Sequence, residues 1–297
     1  MNPRYIFFGT PRFAEIVLKG LIAADMPPAA IVCNPDRPTG RKHIITPPPT
    51  KMLAIGTSPD IDILQPEQID EPFVRRVEKL RPELFVVAAY AKILPAAVLA
   101  IPRRGTLGVH PSLLPSYRGA SPIQSAILAG ETRTGATIYV MDEKMDHGAI
   151  VAQQALAFDP LTTNYETLEW ELAALSATLL ARTIPAVIAG TIRPVPQDES
   201  RATFTKKFTT ENGFVKDTEL DAALDGASDK AELILRTVNA LNPAPGAWTV
   251  RRGKRIKLLE ARMDGGALKL MAIQEEGQRP KRASTADQST TFHQSSM

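Results

Sequence analysis

The chain has 297 residues, 44% of them hydrophobic and 6% aromatic, with a formal net charge of +3. That length exceeds what one compact domain usually holds, so two domains with aliphatic cores are expected. The single cysteine, Cys33, excludes an internal disulfide and reads as a core residue within Ala-Ala-Ile-Val-Cys. No unbroken run of about 20 apolar residues is seen, so no membrane span is expected. The first residues read as a strand too short for a signal peptide, which points to a cytoplasmic protein. Charge is uneven: Arg251 to Arg282 holds ten Lys/Arg against four Asp/Glu, and the rest of the chain is slightly acidic. Such asymmetry fits either a solvated face or a polyanion contact on the C-terminal part.

Strand and helix patterns alternate over the first 190 residues. Residues 4–8 form an apolar strand ending in Gly-Thr-Pro, and 13–22 have helical spacing. Residues 31–33 are a second strand. Residues 71–80 are a helix, and 84–89 are an unbroken apolar run, as expected of a central parallel strand. Residues 107–110 make a short strand, a helix follows Pro122, and 136–141 and 150–156 are further strands. A Thr163-Asn-Tyr-Glu166 capping box opens a long helix with Leu168, Leu172, Leu175 and Leu179 on one face. This alternation implies an α/β doubly wound sheet. The pattern changes at Gly190. Residues 191–201, with Pro194 and Pro196, read as a linker. Residues 250–261 and 267–273 alternate like strands, with turns at Gly253 and Asp264-Gly-Gly266. From Gly277 the chain is polar and aperiodic, so a loose tail is expected.

Two segments carry chemistry. Gly108-Val-His-Pro-Ser-Leu-Leu-Pro-Ser-Tyr-Arg-Gly-Ala-Ser-Pro-Ile123 places His110 just after a strand. Met141-Asp-Glu-Lys-Met-Asp-His-Gly148 places Asp146 just after another. Ligands on an open α/β sheet bind beyond the carboxyl ends of its strands, so both side chains can reach one crevice. A carboxylate beside an imidazole fixes its tautomer and favours its charged form, which suits proton transfer. A lone strand-end histidine is more often structural; the surrounding pattern favours function. His43 and His147 lack any cluster with metal-ligand spacing, so no metal is expected.

These residues resemble the folate-dependent formyltransferases. Phe8-Gly-Thr-Pro-Arg-Phe-Ala14, Pro35-Asp-Arg-Pro-Thr-Gly-Arg41, Pro48-Pro-Thr-Lys51, Gln65-Pro66 and Val87-Ala-Ala-Tyr-Ala-Lys-Ile-Leu-Pro95 resemble successive motifs of the branch acting on methionyl-tRNA. So do Gln197-Asp198, Ala202-Thr-Phe-Thr-Lys206 and Leu241-Asn-Pro-Ala-Pro-Gly-Ala-Trp248. Ala91 stands where glycine is usual. The resemblance implies a Rossmann-like catalytic domain over 1–190 and a linker over 191–208. It further implies a small β-barrel, OB-like C-terminal domain over 209–276, then the polar tail 277–297.

It also implies 10-formyltetrahydrofolate as formyl donor, charged initiator tRNA as acceptor, and a monomer. His110 would stabilise the oxyanion and Asp146 would orient it. Ser112, Leu113, Leu114, Pro115, Ala89, Tyr90 and Ile93 would line the folate pocket, although Leu113 and Leu114 also suit a core. The long loop Asn34–Thr50, with Arg37, Arg41 and Lys42, would meet the tRNA acceptor end. Lys206 and Lys207 near the domain junction, and Arg255 in the basic C-terminal part, would contact phosphates.

Gly108 departs from the family pattern Asn-x-His. A missing oxyanion donor typically costs on the order of 10²–10³ in rate, so either activity is low, or a water fills the gap, or the position has been altered in this chain; Gly108→Asn is expected to raise the rate roughly 10²-fold where the missing donor is the only defect. Two alternatives stay open: an amino-sugar-nucleotide N-formyltransferase, and a tRNA- or folate-binding homologue that has lost catalysis.

Overall fold

The computed structural model describes residues 3–40, 42–58 and 60–288. In chain order the elements of the first half are β1 (Tyr5–Phe8), α1 (Arg12–Ala23), β2 (Ala30–Val32), β3 (Arg37–Thr39), β4 (Ile44–Thr46), α2 (Pro49–Thr57), β5 (Asp62–Leu64), α3 (Glu71–Lys79), β6 (Leu84–Ala88), α4 (Ala96–Leu99), β7 (Thr106–His110), β8 (Arg118–Gly119), α5 (Pro122–Ala129) and β9 (Arg133–Val140). There follow β10 (Ile150–Ala157), α6 (Tyr165–Ala189), β11 (Phe204–Thr205), α7 (Asp217–Leu224), α8 (Ser228–Leu241), β12 (Ala247–Arg251), β13 (Lys254–Asp264), β14 (Ala267–Glu275) and β15 (Lys281–Arg282). They fold into two units. The first takes the described residues up to Gly119, then Gly135–Leu156 and Glu169–Phe204. The second takes Ala120–Thr134, Ala157–Leu168 and the described residues from Thr205 onward.

Among the described residues the first unit is built on one sheet of order β10-β9-β7-β6-β1-β2-β5. The pairs β1–β2, β2–β5, β1–β6 and β6–β7 are parallel, and β9 runs antiparallel to β7. Strand order thus leaves β1 in both directions, which makes the carboxyl ends of β1, β6 and β7 the place for a ligand crevice. All residues of β1, β2, β6 and β7 are buried, which explains the unbroken apolar runs of β1, β2 and β6. One face packs Ile6, Phe8, Val32, Phe73, Phe85 and Val87 together. The rings of Phe8 and Phe85 lie 4.9 Å apart.

Local chemistry sets the helices. α1 buries Phe13, Val17 and Leu21 at four-residue spacing. α3 starts where the Asp70 carboxylate accepts from the Phe73 amide at 3.0 Å, has proline in its first turn, and carries Arg76 and Lys79 in its last. At the start of α6 the cap is Asn164, whose Oδ1 accepts from the Thr167 amide at 2.9 Å; the expected Thr163 box is displaced by one residue. α6 is also long and apolar enough, by composition, to cross a membrane. The expectation drawn from unbroken runs overlooked it, because Glu and Arg punctuate the segment. Leu172, Ala173, Leu180 and Ile184 are buried on it, as in the core helix of a globular unit.

The second unit packs Val215, Leu220, Ile234, Leu235, Val238, Leu258, Leu270 and Ile273 into one core. Its sheet is β12-β13-β14-β15, with antiparallel pairing throughout. The turns fall where expected: Gly253 at φ +71°, Gly265 at +60° and Gly266 at +90°, values that side chains rarely adopt. Helices α7 and α8 pack against these strands and were not anticipated. Part of the expected loose tail is also built in. Ile273 pairs with Lys281 and Ala272 with Arg282, and the Gln288 side chain bonds the backbone of Leu270.

Gly20 of α1 faces α6 so closely that an added Cβ would stand 2.5 Å from the Ala177 Cβ. Glycine to alanine in a helix normally gains about 1 kcal/mol, whereas overpacking a filled core costs about 1–3 kcal/mol. Because the obstacle is an alanine on a rigid helix, the packing cost wins. Gly20→Ala is expected to lower the thermal midpoint in a melting experiment, against the helix-propensity trend.

Candidate active site

His110 ends β7 and is 5% exposed. Its Nε2 lies 2.8 Å from the carbonyl oxygen of Tyr117. A carbonyl only accepts, so Nε2 carries the hydrogen and the neutral ring keeps its lone pair on Nδ1. Nδ1 faces Asp146 Oδ2 at 3.7 Å. That is too long for a hydrogen bond but leaves the carboxylate facing the ring nitrogen that carries the lone pair. The expected pair is therefore formed, with Asp146 beside the ring nitrogen that is free to take a proton.

Asp146 is held in a left-handed backbone conformation, φ +51°, which costs about 1–3 kcal/mol. Its surroundings offset that. Oδ2 accepts from the Gly119 amide at 2.7 Å and Oδ1 from the Tyr139 hydroxyl at 2.8 Å. Hydrogen bonds to a charged group contribute about 1.5–3 kcal/mol each. The Gln197 side-chain amide donates to the carbonyls of Asp146 and Gly148 at 2.9 and 2.8 Å. Burial, and then the Asp146 charge, push the Tyr139 phenol well above its ordinary range, so it stays a donor.

Gln197 Oε1 in turn accepts from the buried Arg118 guanidinium at 2.8 Å, and Glu199 takes the same guanidinium bidentately at 2.6 and 3.0 Å. The segment that reads as a linker thus returns to the sheet. Val195 bridges Ile150, and the Thr203 carbonyl accepts from the Arg118 amide at 2.8 Å. Tyr139, Gln197, Arg118 and Glu199 were assigned no role from sequence. His147 binds Asp142 at 2.6 Å.

The remaining predicted residues divide. Ser112 is buried, its hydroxyl donating to the Ser116 carbonyl at 2.6 Å, and Leu114 is buried beside it. Both side chains build the loop from within. Leu113 and Pro115 are half-buried, and Leu113 packs near Gly135. Ala89 is exposed at φ +49° beyond β6, Ile93 is 90% exposed, and the Tyr90 hydroxyl is buried with no hydrogen-bond partner among the described residues. The expected open loop 34–50 contains the β3–β4 hairpin. There Arg37 is ion-paired with Glu67 and Lys42 is exposed; Arg41 lies outside the described residues. In the second unit Lys206 and Lys207 are exposed, and the Arg255 guanidinium stacks 4.1 Å over the Trp248 ring.

Gly108 overturns an expectation. Its neighbour across the sheet is Tyr139. A Cβ at position 108 would stand 2.5 Å from the Tyr139 Cε1 and 2.7 Å from its hydroxyl. An asparagine there has no room while Tyr139 keeps its place, so a gain of activity in Gly108→Asn is no longer expected.

Residues 3–184 match the formyl transferase family, and residues 220–270 match the C-terminal domain of formyl transferases. The chain belongs to the formyl transferase family. Within it, the chain is 43% identical over 259 residues to the methionyl-tRNA formyltransferase of Chloroflexus aurantiacus, covering 87% of this chain and 79% of that one. It is 41% identical over 256 residues to the methionyl-tRNA formyltransferase of Halalkalibacterium halodurans, covering 86% and 77%. Among solved structures, the methionyl-tRNA formyltransferase of Clostridium thermocellum superposes with a TM-score of 0.60 at 17% identity, covering 92% of this chain and 98% of that one. An N-formyltransferase of Helicobacter canadensis, solved with folinic acid and dTDP-3-aminofucose, gives 0.61 at 13% identity and 88% of each chain. These two superpositions bear on the fold alone.

The Arg118–Glu199 pair makes stability depend on pH. Arg118 holds the Glu199 carboxyl below its ordinary value of 4.5. A carboxyl lowered by folding stabilises the protein above that ordinary value, and the contribution fades as pH falls below it. Glu199→Gln is expected to melt below the parent at neutral pH, with the gap closing in scans taken progressively below pH 4.5. A gap independent of pH would contradict the charge assignment.

Proposed function

We propose that this chain transfers the formyl group of 10-formyltetrahydrofolate to the amino group of methionyl-initiator tRNA, with His110 and Asp146 handling the protons. The observation that carries the reading is the strand-end imidazole whose Nε2 is committed to a carbonyl and whose Nδ1 faces an anchored carboxylate. The kinship with methionyl-tRNA formyltransferases at about 40% identity over most of the chain supports the substrate. The sugar-nucleotide alternative has only fold likeness at 13% identity behind it. Charged tRNA and folate are molecules of the cytoplasm, and the reading places the chain there.

The residues beyond β6 fit a folate. Ala89 and Ile93 offer exposed apolar surface, and the Tyr90 hydroxyl, without a partner among the described residues, offers a buried polar atom to a ring with a flat face and polar edges. When bound, the donor supplies an activated formyl carbon. An amine that attacks such a carbon must lose a proton, and the donor nitrogen whose bond to that carbon breaks must gain one. His110 Nδ1 is the available acceptor, and the imidazolium so formed lies beside the Asp146 carboxylate. Its burial keeps water from screening that pair. Ser112, Leu113, Leu114 and Pro115 serve this site by shaping the loop that presents the Tyr117 carbonyl to His110.

For tRNA, we assign phosphate contacts to Arg41, Lys42, Lys206 and Lys207, and a stacked, oriented guanidinium to Arg255. Many other basic residues of the C-terminal part are taken up internally: Arg251 by Asp217 and Asp221, Lys269 by Asp264, Lys281 by Glu275. Basic composition there overstates the charge open to a polyanion.

Two measurements test the reading. In single-turnover formyl transfer, His110→Ala and Asp146→Asn are each expected to lose about 10²–10⁴-fold in rate, with tRNA affinity unchanged; a parental rate in either would sink the assigned roles. In filter binding, Arg255→Ala is expected to weaken tRNA binding at every sequence and to reduce the salt slope by about one. An unchanged slope would count against a phosphate contact at Arg255.

A further inference from the structure

We infer that Tyr139 is a positioning residue of this site, its hydroxyl supplying from β9 the hydrogen bond to Asp146 for which the absent side chain of Gly108 leaves room. The inference rests on the roles of His110 and Asp146 given above.

Three observations meet at one point. First, β7 and β9 are in register with Gly108 opposite Tyr139 and His110 opposite Thr137. Side chains two apart on a strand share a face, so a side chain at 108 would stand on the His110 face. Second, the Tyr139 ring takes that volume instead, with its hydroxyl 2.7 Å from where the Cβ would be. Any residue larger than glycine at 108 would expel the ring from its present place. Third, the hydroxyl that the space admits ends on Asp146 Oδ1 at 2.8 Å. The other oxygen, Oδ2, accepts from Gly119 and faces His110. The carboxylate is therefore fixed from both sides, and only the Oδ2 side looks toward the imidazole. Tyr139 is 4% exposed, and burial keeps its phenol protonated. Glycine at 108 and tyrosine at 139 form a complementary pair, and the glycine is a condition of the site's geometry.

The test begins with Tyr139→Phe, which keeps the ring and removes only the hydroxyl. Its kcat is expected to fall about 10- to 100-fold, the loss of one hydrogen bond to a charged group. KM for methionyl-tRNA and for 10-formyltetrahydrofolate should change little. The second arm is reciprocal. Gly108→Asn alone and Tyr139→Val alone are each expected to be poor enzymes. The double variant, where the cleared volume admits the asparagine amide near Asp146, should exceed both by about tenfold or more, a coupling that independent sites do not show. Parental kcat in Tyr139→Phe, or a double variant no better than the worse single, would overturn the inference. A parent that fails to formylate methionyl-tRNA overturns the proposed substrate instead. In that event hydrogen exchange of the Gly119 amide, which Asp146 protects, still reads Tyr139. Exchange about tenfold faster in Tyr139→Phe than in the parent supports the anchoring role, and equal rates refute it.

Discussion

The site depends on how one carboxylate is held. Asp146 sits in a backbone conformation that costs energy, and two donors, the Gly119 amide and the Tyr139 hydroxyl, hold its oxygens. Release of either would loosen the placement of the carboxylate before the His110 ring. The rest of the first unit is arranged around this point. The β7–β9 register delivers Tyr139, the turn after β7 delivers Gly119, and Gln197 fixes the Asp146 carbonyl. The strain at Asp146 is stable because several independent elements determine it together.

The segment from Val195 to Thr203 explains much of that rigidity. Gln197 bonds three groups at once: the carbonyls of Asp146 and Gly148, and the Arg118 guanidinium. Arg118 is buried, and an unpaired buried guanidinium would be costly; Gln197 and Glu199 satisfy it. The loop that carries Tyr117, whose carbonyl orients His110, is thereby tied to the far end of the chain's first unit. A segment rich in proline and polar residues is what a linker looks like in composition, yet here those polar side chains close a network.

Much of the fold could be read from the sequence because burial leaves a direct imprint. Strands β1 and β6 are apolar throughout since both faces are covered, and β7 is buried along its whole length up to His110. His110 stands out in the sequence as the polar residue that closes a buried strand, whereas Asp146 lies within a polar turn beyond β9, where only the resemblance singles it out from its acidic neighbours. Tyr139 was not legible. Its meaning lies in the register of two strands, and a one-residue slip would put it on the other face. The fit of Gly108 likewise depends on what stands opposite, so its lack of a side chain read as a loss. Gln197 was hidden because a long-range return leaves no periodicity. Helices α7 and α8 lie in a stretch of mixed polarity, and the exposed hairpin β3–β4 has no buried face to set a pattern.

The central claim is that His110 is held with its hydrogen on Nε2, given to the Tyr117 carbonyl, and its lone pair on Nδ1 before Asp146. Nitrogen-15 NMR of the histidine ring reads this directly at a pH where the ring is neutral. The structure predicts a protonated, pyrrole-type signal at Nε2 and an unprotonated, pyridine-type signal at Nδ1. A hydrogen on Nδ1 in the neutral ring would mean that Asp146 already accepts it, and would contradict the proton-accepting role given to that nitrogen.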